Sequence, residues 1–386
     1  MAPLFKIIGQ EVLIMQKIIV VGAGILGAST AYQLAKKGAQ VIVVDRKDKG
    51  QATDAAAGIV CPWLSQRRNK AWYELAKAGA RYYPDLINEL KEDGEIHTGY
   101  SRVGAISLHK DEKKLEKMAE RALIRRQDAP EIGEIARLSS QETKQLFPAL
   151  DAEYESVYVS GGARVDGRAL RDSLLRAAQK NGAELIYDEA RLLFHGTRVT
   201  GIVTSQKEII ADTVIICTGA WAPQMLRPLG VDLKVRFQKA QISHLKVKDE
   251  NAGKQPVVMP PGTLYLLAFD DNRVVAGSTH EDTDVFDTMV TAGGVSEIFT
   301  KALETAPGLS EAGYLETRVG FRPFTPGFLP IIGPLPGWKG ILVANGLGSS
   351  GLTVGPFLGF QLAKLALELD LEIDLENYSV EGALGN

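Results

Sequence analysis

The sequence is short of cysteine, of long apolar runs and of net charge, and each shortage closes off a class of function. Cys61 and Cys217 are its two cysteines, far apart and in no metal-ligand spacing. They exclude a disulfide framework or zinc site and point to a reducing, cytoplasmic setting. No segment reaches the roughly 18 uninterrupted apolar residues of a membrane span, so no integral membrane segment is expected. A formal net charge of −3 gives no global field for nucleic acid or an anionic membrane. Four of the histidines, His97, His109, His195 and His244, show no ligand spacing, and no metal is expected.

What remains is ordinary globular material: 386 residues, 45% hydrophobic and 24% charged, enough for two to three domains. In the first 14 residues Lys6, Gly9, Gln10 and Glu11 interrupt every apolar stretch, so no secretory core forms. With Met15 just before the first convincing strand, residues 1–14 are expected to be a leader, an ordered surface strand being the alternative.

KIIVV at 17–21 reads as a buried parallel strand, ILGASTAYQLAKKG as a helix stopping at Gly38, and AQVIVVD as a second strand ending at Asp45. Together they form a βαβ unit. Residues 66–92 read as a helix that Pro84 bends or splits. Ser139 to Glu142 has capping-box spacing, and Asp166 is placed to cap a helix stopping at Gly182. From 235 to 285 the pattern turns antiparallel. A helix near 293–305, a Pro/Gly-rich loop at 320–340, the strand ILVAN and a closing helix complete the chain.

The turn Gly22-Ala23-Gly24-Ile25-Leu26-Gly27 follows a strand and opens a helix, and Asp45 ends the next strand. The first glycine permits the turn, the second admits a pyrophosphate, and the third lets helix pack on strand. Unpaired N–H groups at the helix start favour the phosphates, and Asp45 can accept from a ribose diol. The motif indicates a dinucleotide and is silent on FAD versus NAD. NGLGSSG at 345–351 also follows a strand and precedes a helix, but no further strand and acid follow it. It reads either as a plain helix cap or as a positive helix end suited to the charge of a reduced flavin.

GAGILG with Asp45-Arg46, ATDAAAGIV (52–60), ARVDGRAL (163–170), VIICTGAWAP (214–223), VGFRPFTPGFLPIIG (319–333) and NGLGSSGLTVGP occur in order. As a set they resemble the FAD-dependent D-amino acid oxidase family, which includes glycine oxidase, sarcosine oxidase and D-amino acid dehydrogenase. The resemblance runs from Lys17 onward and implies an α/β (α+β overall) fold. A discontinuous Rossmann-like FAD-binding domain would comprise 15–65, 150–234 and 323–386. A substrate domain on a largely antiparallel sheet would comprise 66–149 and 235–322.

The family resemblance also implies the cofactor contacts. Thr53 to Ile59, with Ala56, Ala57 and Gly58, would line the flavin, and Ala190-Arg191-Leu192 would sit near the adenine. Cys217, Thr218, Gly219 and Trp221 would pass the pyrophosphate side. Gly346, Gly348, Ser349, Ser350, Gly351, Leu352 and Thr353 would embrace the isoalloxazine. The FAD is expected to be non-covalent, because no cysteine lies near 315–325, where sarcosine oxidases attach theirs.

For the substrate, Arg322 in GFRPFT matches the arginine that pairs with the carboxylate, a geometry-fixing role for a guanidinium. Tyr265 in TLYLLAF matches a tyrosine facing the substrate, and His280 in GSTH falls at a substrate-facing position where glycine oxidase carries methionine. Glycine-oxidase-like members carry a further arginine where Ser349 stands here, and sarcosine-type members a lysine where Val275 stands. Trp63 and QRRNK (66–70) border the pocket or form a solvated helix start.

The expected activity is oxidation of the C–N bond of an amino acid or N-substituted amino acid, with hydride passing from the α-carbon to flavin N5 and the imine hydrolysing. Oxygen or another acceptor, a quinone or partner protein among them, would reoxidise the flavin. The expected partner is thus a small amino-acid substrate, and a homo-oligomer is compatible with the sequence. A non-catalytic flavin-binding subunit is the alternative of another class.

Overall fold

The computed structural model describes residues 16–385; the expected leader lies outside the described residues. A six-stranded sheet is built around Lys17–Val21, flanked in parallel by Gln40–Asp45 and Thr213–Ile216. Ile18, Ile19 and Val20 are fully buried, which is why this strand is an unbroken β-branched run rather than an alternating one. Glu184–Tyr187 and Ile341–Asn345 extend the sheet in parallel, and Ile331–Pro334 closes one edge antiparallel. The helices Ile25–Lys36, Gly167–Lys180 and Gly351–Ala366 pack as one layer, with Ile25–Lys36 touching both others.

A nine-stranded sheet forms a second layer, its spine the antiparallel pair Arg236–Lys246 and Gly313–Phe324. Tyr265–Phe269 and Arg273–Gly277 add a hairpin, and Val257–Met259 pairs in parallel with Ala105–His109. A separate hairpin, Arg191–His195 with Arg198–Val203, takes Glu208–Ile210 as a third strand.

Three expectations need correction. Glu155–Val159 falls in the 150–234 segment assigned to the nucleotide domain, yet it pairs with Ala105–His109 and Ile135–Leu138 in the nine-stranded sheet. Its ESVYV pattern says strand, and long-range pairing chooses the sheet. Pro84 does not split its helix, which runs unbroken from Lys70 to Glu92. Pro84 lies on the exposed face while Leu75, Ala76, Tyr83, Leu86 and Leu90 bury the other, so packing outweighs the lost hydrogen bond. Arg322, expected in a loop, lies on Gly313–Phe324, opposite Gln238. Beyond its ladder with Arg236–Lys246 that strand makes a single bridge, Phe321 to Gln51, so Pro323 sits at an edge where its missing N–H costs little.

The two layers are tied through His244, given no role from sequence. Its Nδ1 lies 3.0 Å from Arg273 Nη1, and Arg273 Nη2 donates to Asp166 Oδ2 at 2.7 Å. Asp166 caps Gly167–Lys180 through the N–H groups of Arg168 and Ala169. Burial, then the charges of Arg318 and Arg273, push the His244 imidazole down to about 3. Below pH 6.5 the unfolded chain therefore binds a proton that the folded chain refuses. Stability should fall on acidification from that point, by up to ~1.4 kcal/mol per pH unit. Urea midpoints measured against pH should show a shallower acid-side slope in His244→Gln than in the wild type.

Candidate active site

From Lys17–Val21 the chain turns through Gly22 to Gly24 into the helix Ile25–Lys36. Gly22 has φ +99°, and a Cβ there would lie 2.5 Å from the Cys217 carbonyl oxygen. A Cβ on Gly27 would meet the Gly22 carbonyl oxygen at 1.8 Å, so this glycine seats helix on turn. Gly24 differs: its Cβ would touch protein only at Thr53 Oγ1, 3.4 Å away. The fold has room for a methyl there, and that room opens onto a cleft. No side chain caps the helix, although the Ile25 N–H donates to Thr53 Oγ1 at 3.0 Å. Asp45 supports the turn from below. Its Oδ2 accepts from the Ala23 N–H at 2.7 Å, and its Oδ1 from the Lys47 N–H at 2.6 Å and Gln51 Nε2 at 3.0 Å.

The cleft encloses about 820 Å³. One stretch of its wall carries Arg46, Glu189 and Arg191, joined by ion pairs of 3.4 and 3.2 Å. The final glycine loop forms another stretch and is braced on several sides. Asn345 Nδ2 donates to the Gly219 carbonyl at 2.9 Å, linking the two C-terminal strand ends. Trp72 Nε1 donates to Ser350 Oγ at 3.0 Å and the Tyr83 hydroxyl to the Leu352 carbonyl at 2.5 Å, both from the helix Lys70–Glu92. Thr353 Oγ1 donates to the Ile59 carbonyl at 2.8 Å. The helix Gly351–Ala366 that follows has no side-chain cap, so its positive end faces the cleft where Gly351, Leu352 and Thr353 line it.

Tyr265, His280 and Arg322 share the same cleft. The Tyr265 hydroxyl is buried without a hydrogen-bond partner among the described residues, and so is Thr218 Oγ1, just past the strand Thr213–Ile216. Buried polar atoms on a cleft wall with no protein partner are what a ligand satisfies. Arg322 Nη2 donates to Ser278 Oγ at 2.8 Å, and no carboxylate pairs with this guanidinium among the described residues. His280 lies exposed at the rim; partial burial, then the charge of Arg322, lower its pKa. Cys61 and Cys217 are buried on the cleft wall, and burial pushes both thiols up to about 12.

Of the cofactor and substrate residues expected from sequence, all but Ala23 and Gly27 line the cleft, whereas Trp63 and residues 66–70 do not, Trp63 being buried. Trp221 lines it while stacked on Phe286 at a centroid distance of 5.0 Å. Sequence reasoning missed Ser278, Asn345 and Trp72. Ser278 lies past the end of the strand Arg273–Gly277, where no periodicity marks which side chains face the cleft. Trp72 read only as an apolar helix position, because its hydrogen bond reaches a residue 278 positions away. Ser278 is 3% exposed and fixes the Arg322 fork. Ser278→Ala should raise KM for a carboxylate substrate roughly tenfold, ~1.4 kcal/mol, with kcat and flavin content little changed and Ser278→Thr restoring KM.

The family model described as FAD dependent oxidoreductase matches residues 17–365. The chain is 62% identical to the uncharacterized oxidoreductase YurR of Bacillus subtilis, over 96% of this chain and 100% of that one. It is 30% identical to the glycine oxidase of Pseudomonas aeruginosa, over 96% and 100%. The crystal structure of iminodiacetate oxidase from Chelativorans sp. BNC1 superposes with a TM-score of 0.91 at 46% identity, covering 94% of this chain and 98% of that one. The mixed α/β architecture, with its Rossmann-like FAD-binding sheet, is thus shared with solved oxidases, and the chain belongs to the DAO family of FAD dependent oxidoreductases.

Proposed function

We propose that this enzyme oxidises the C–N bond of an amino acid or N-substituted amino acid whose carboxylate pairs with Arg322. The observation that carries the reading is the Arg322 guanidinium, on the cleft wall with a neutral serine hydroxyl as its partner and donors to spare. A planar guanidinium grips a carboxylate through two parallel hydrogen bonds and so fixes the orientation of the attached carbon. The iminodiacetate oxidase likeness favours N-carboxymethyl amines within that class.

The cleft suits a flavin dinucleotide. Gly22 to Gly24 and the helix that follows would hold the pyrophosphate and Asp45 the ribose, with Ala56 to Gly58 against the ring. The final glycine loop would present its helix end to the ring's pyrimidine edge. When bound, the flavin supplies a two-electron acceptor for the hydrogen on the carbon next to nitrogen. The protein's share is to orient the substrate through Arg322, offer the Tyr265 hydroxyl as a hydrogen-bond partner, and place positive helix ends where negative charge develops. No general base is obligatory if the amine binds neutral.

Cofactor attachment is read as non-covalent: with both thiols held near 12, neither Cys61 nor Cys217 is a thiolate at neutral pH. Acid precipitation should release all flavin into the supernatant; flavin retained on the pellet would contradict this. Oxygen or another acceptor takes the electrons onward, and peroxide yield with and without an artificial acceptor distinguishes the two. A panel of amino acids and N-substituted glycines, scored by turnover, tests the proposal, and turnover of none of them overturns it.

A further inference from the structure

Charge is unevenly shared along the cleft wall. Among the described residues its acids are Asp45, Asp48, Asp188 and Glu189. Each is already engaged: Asp45 by Gln51, Asp48 by Arg46, Asp188 by Ser205, and Glu189 by Arg46 and Arg191. None of them pairs with Arg322 or His280, which line the same cleft.

His280 and Arg322 are joined through one residue. Ser278 takes the Arg322 Nη2 proton on its hydroxyl at 2.8 Å, and its backbone is a hydrogen-bond partner of the His280 ring. The charges that reach this imidazole are those of Arg322 on Gly313–Phe324 and of Lys301 and Glu297 on the helix Ala292–Thr305. Lys301 is answered by Glu297 at 2.6 Å and touches the wall only at Thr263 Oγ1, 3.4 Å away. Tyr265 adds an unpartnered hydroxyl to the same wall. The surplus around His280 is therefore positive, and the groups facing the cleft are hydrogen-bond donors. Arg322 is half-buried and His280 exposed, so the wall offers one such site deep and a second at the rim.

We propose that His280, when protonated, holds a second carboxylate of the substrate, so that the enzyme selects amines carrying two carboxylates, one on Arg322 and one on the imidazolium. This rests on the C–N oxidation reading above and names which members of that class the site selects. The two anchors act together. A carboxylate on Arg322 cancels the like charge that opposes protonation of His280, and a carboxylate at the rim then meets a cation, whose hydrogen bond is roughly twice as strong as that of a neutral ring. Binding a dicarboxylate accordingly takes up a proton, and its advantage over a monocarboxylate fades as pH rises through the titration of His280 in the complex.

Iminodiacetate and N-methylglycine share a secondary amine and one carboxylate and differ in the second, so their ratio isolates the rim contact. In the holoenzyme, the ratio of kcat/KM for iminodiacetate over N-methylglycine should rise roughly threefold or more from pH 8.5 to pH 6.5. His280→Gln should lower the ratio at pH 6.5 roughly fivefold and leave it flat with pH. An unchanged ratio in the variant, or a pH slope that persists there, overturns the proposal. A second measurement needs no turnover. Perturbation of the flavin absorbance should show malonate binding tighter than acetate in the wild type, more so at pH 6.5 than at pH 8.5, with that preference lost in His280→Gln. If neither amine is oxidised but the malonate preference and its loss are seen, the subsite stands and the assigned reaction falls. If the wild type shows no such preference, the subsite falls whatever the reaction.

Discussion

Replacing Arg322 with alanine should lower kcat/KM for a carboxylate-bearing substrate by about two to three orders of magnitude. That corresponds to roughly 3–4 kcal/mol, within the range for truncating one partner of a desolvated charge pair. The side chain sits near the end of an edge strand, its Nη2 held by Ser278 at 2.8 Å, so the loss should appear in substrate capture and not in the fold. Flavin content and thermal midpoint should stay near wild type. Arg322→Lys keeps the charge and loses the planar fork, so it should fall between the two. Steady-state kinetics alongside flavin quantitation checks all three; an alanine variant that captures substrate normally would move the carboxylate site elsewhere.

The second large effect separates two glycines of one turn. A methyl on Gly27 would overlap the Gly22 carbonyl oxygen, which is backbone and cannot step aside. Gly27→Ala should therefore damage the seating of the helix Ile25–Lys36 itself, giving protein that is both colourless and less stable. A methyl on Gly24 meets only the Thr53 hydroxyl at ordinary contact distance, yet it projects into the space a pyrophosphate would take. Gly24→Ala should fold with a thermal midpoint close to that of wild-type apoprotein while its FAD affinity drops at least a hundredfold. Equal loss of stability in both variants, or FAD binding unaffected in Gly24→Ala, would contradict the division of labour.

The glycine turn on the cleft wall was legible in the sequence because its signals are local. Gly22, Gly27 and Asp45 lie within one βαβ unit, and their spacing alone dictates a turn, a close approach and a carboxylate at the strand end. The closing loop was legible for the same reason: strand, glycines and uncapped helix follow one another. The nine-stranded sheet was harder. Glu155–Val159 reads as a strand, but nothing within its five residues says that Ala105–His109 is its partner. Arg322 looked like a loop residue because its neighbours are glycine and proline, and only the pairing with Arg236–Lys246 makes the segment a strand. The missed side chains share a cause. Ser278, Trp72 and Asn345 matter through contacts with distant segments, and a single sequence records the residue without its neighbour.

The central claim joins a flavin cofactor to an amino-acid substrate through Arg322, and anaerobic reduction of the bound flavin tests it most directly. Holoenzyme mixed without oxygen with D-, L- and N-substituted amino acids, iminodiacetate included, should lose its oxidised-flavin absorbance with at least one of them. The same compound should fail to bleach Arg322→Ala at comparable concentration. Bleaching by none of them, or equal bleaching of the wild type and the variant, would contradict the account.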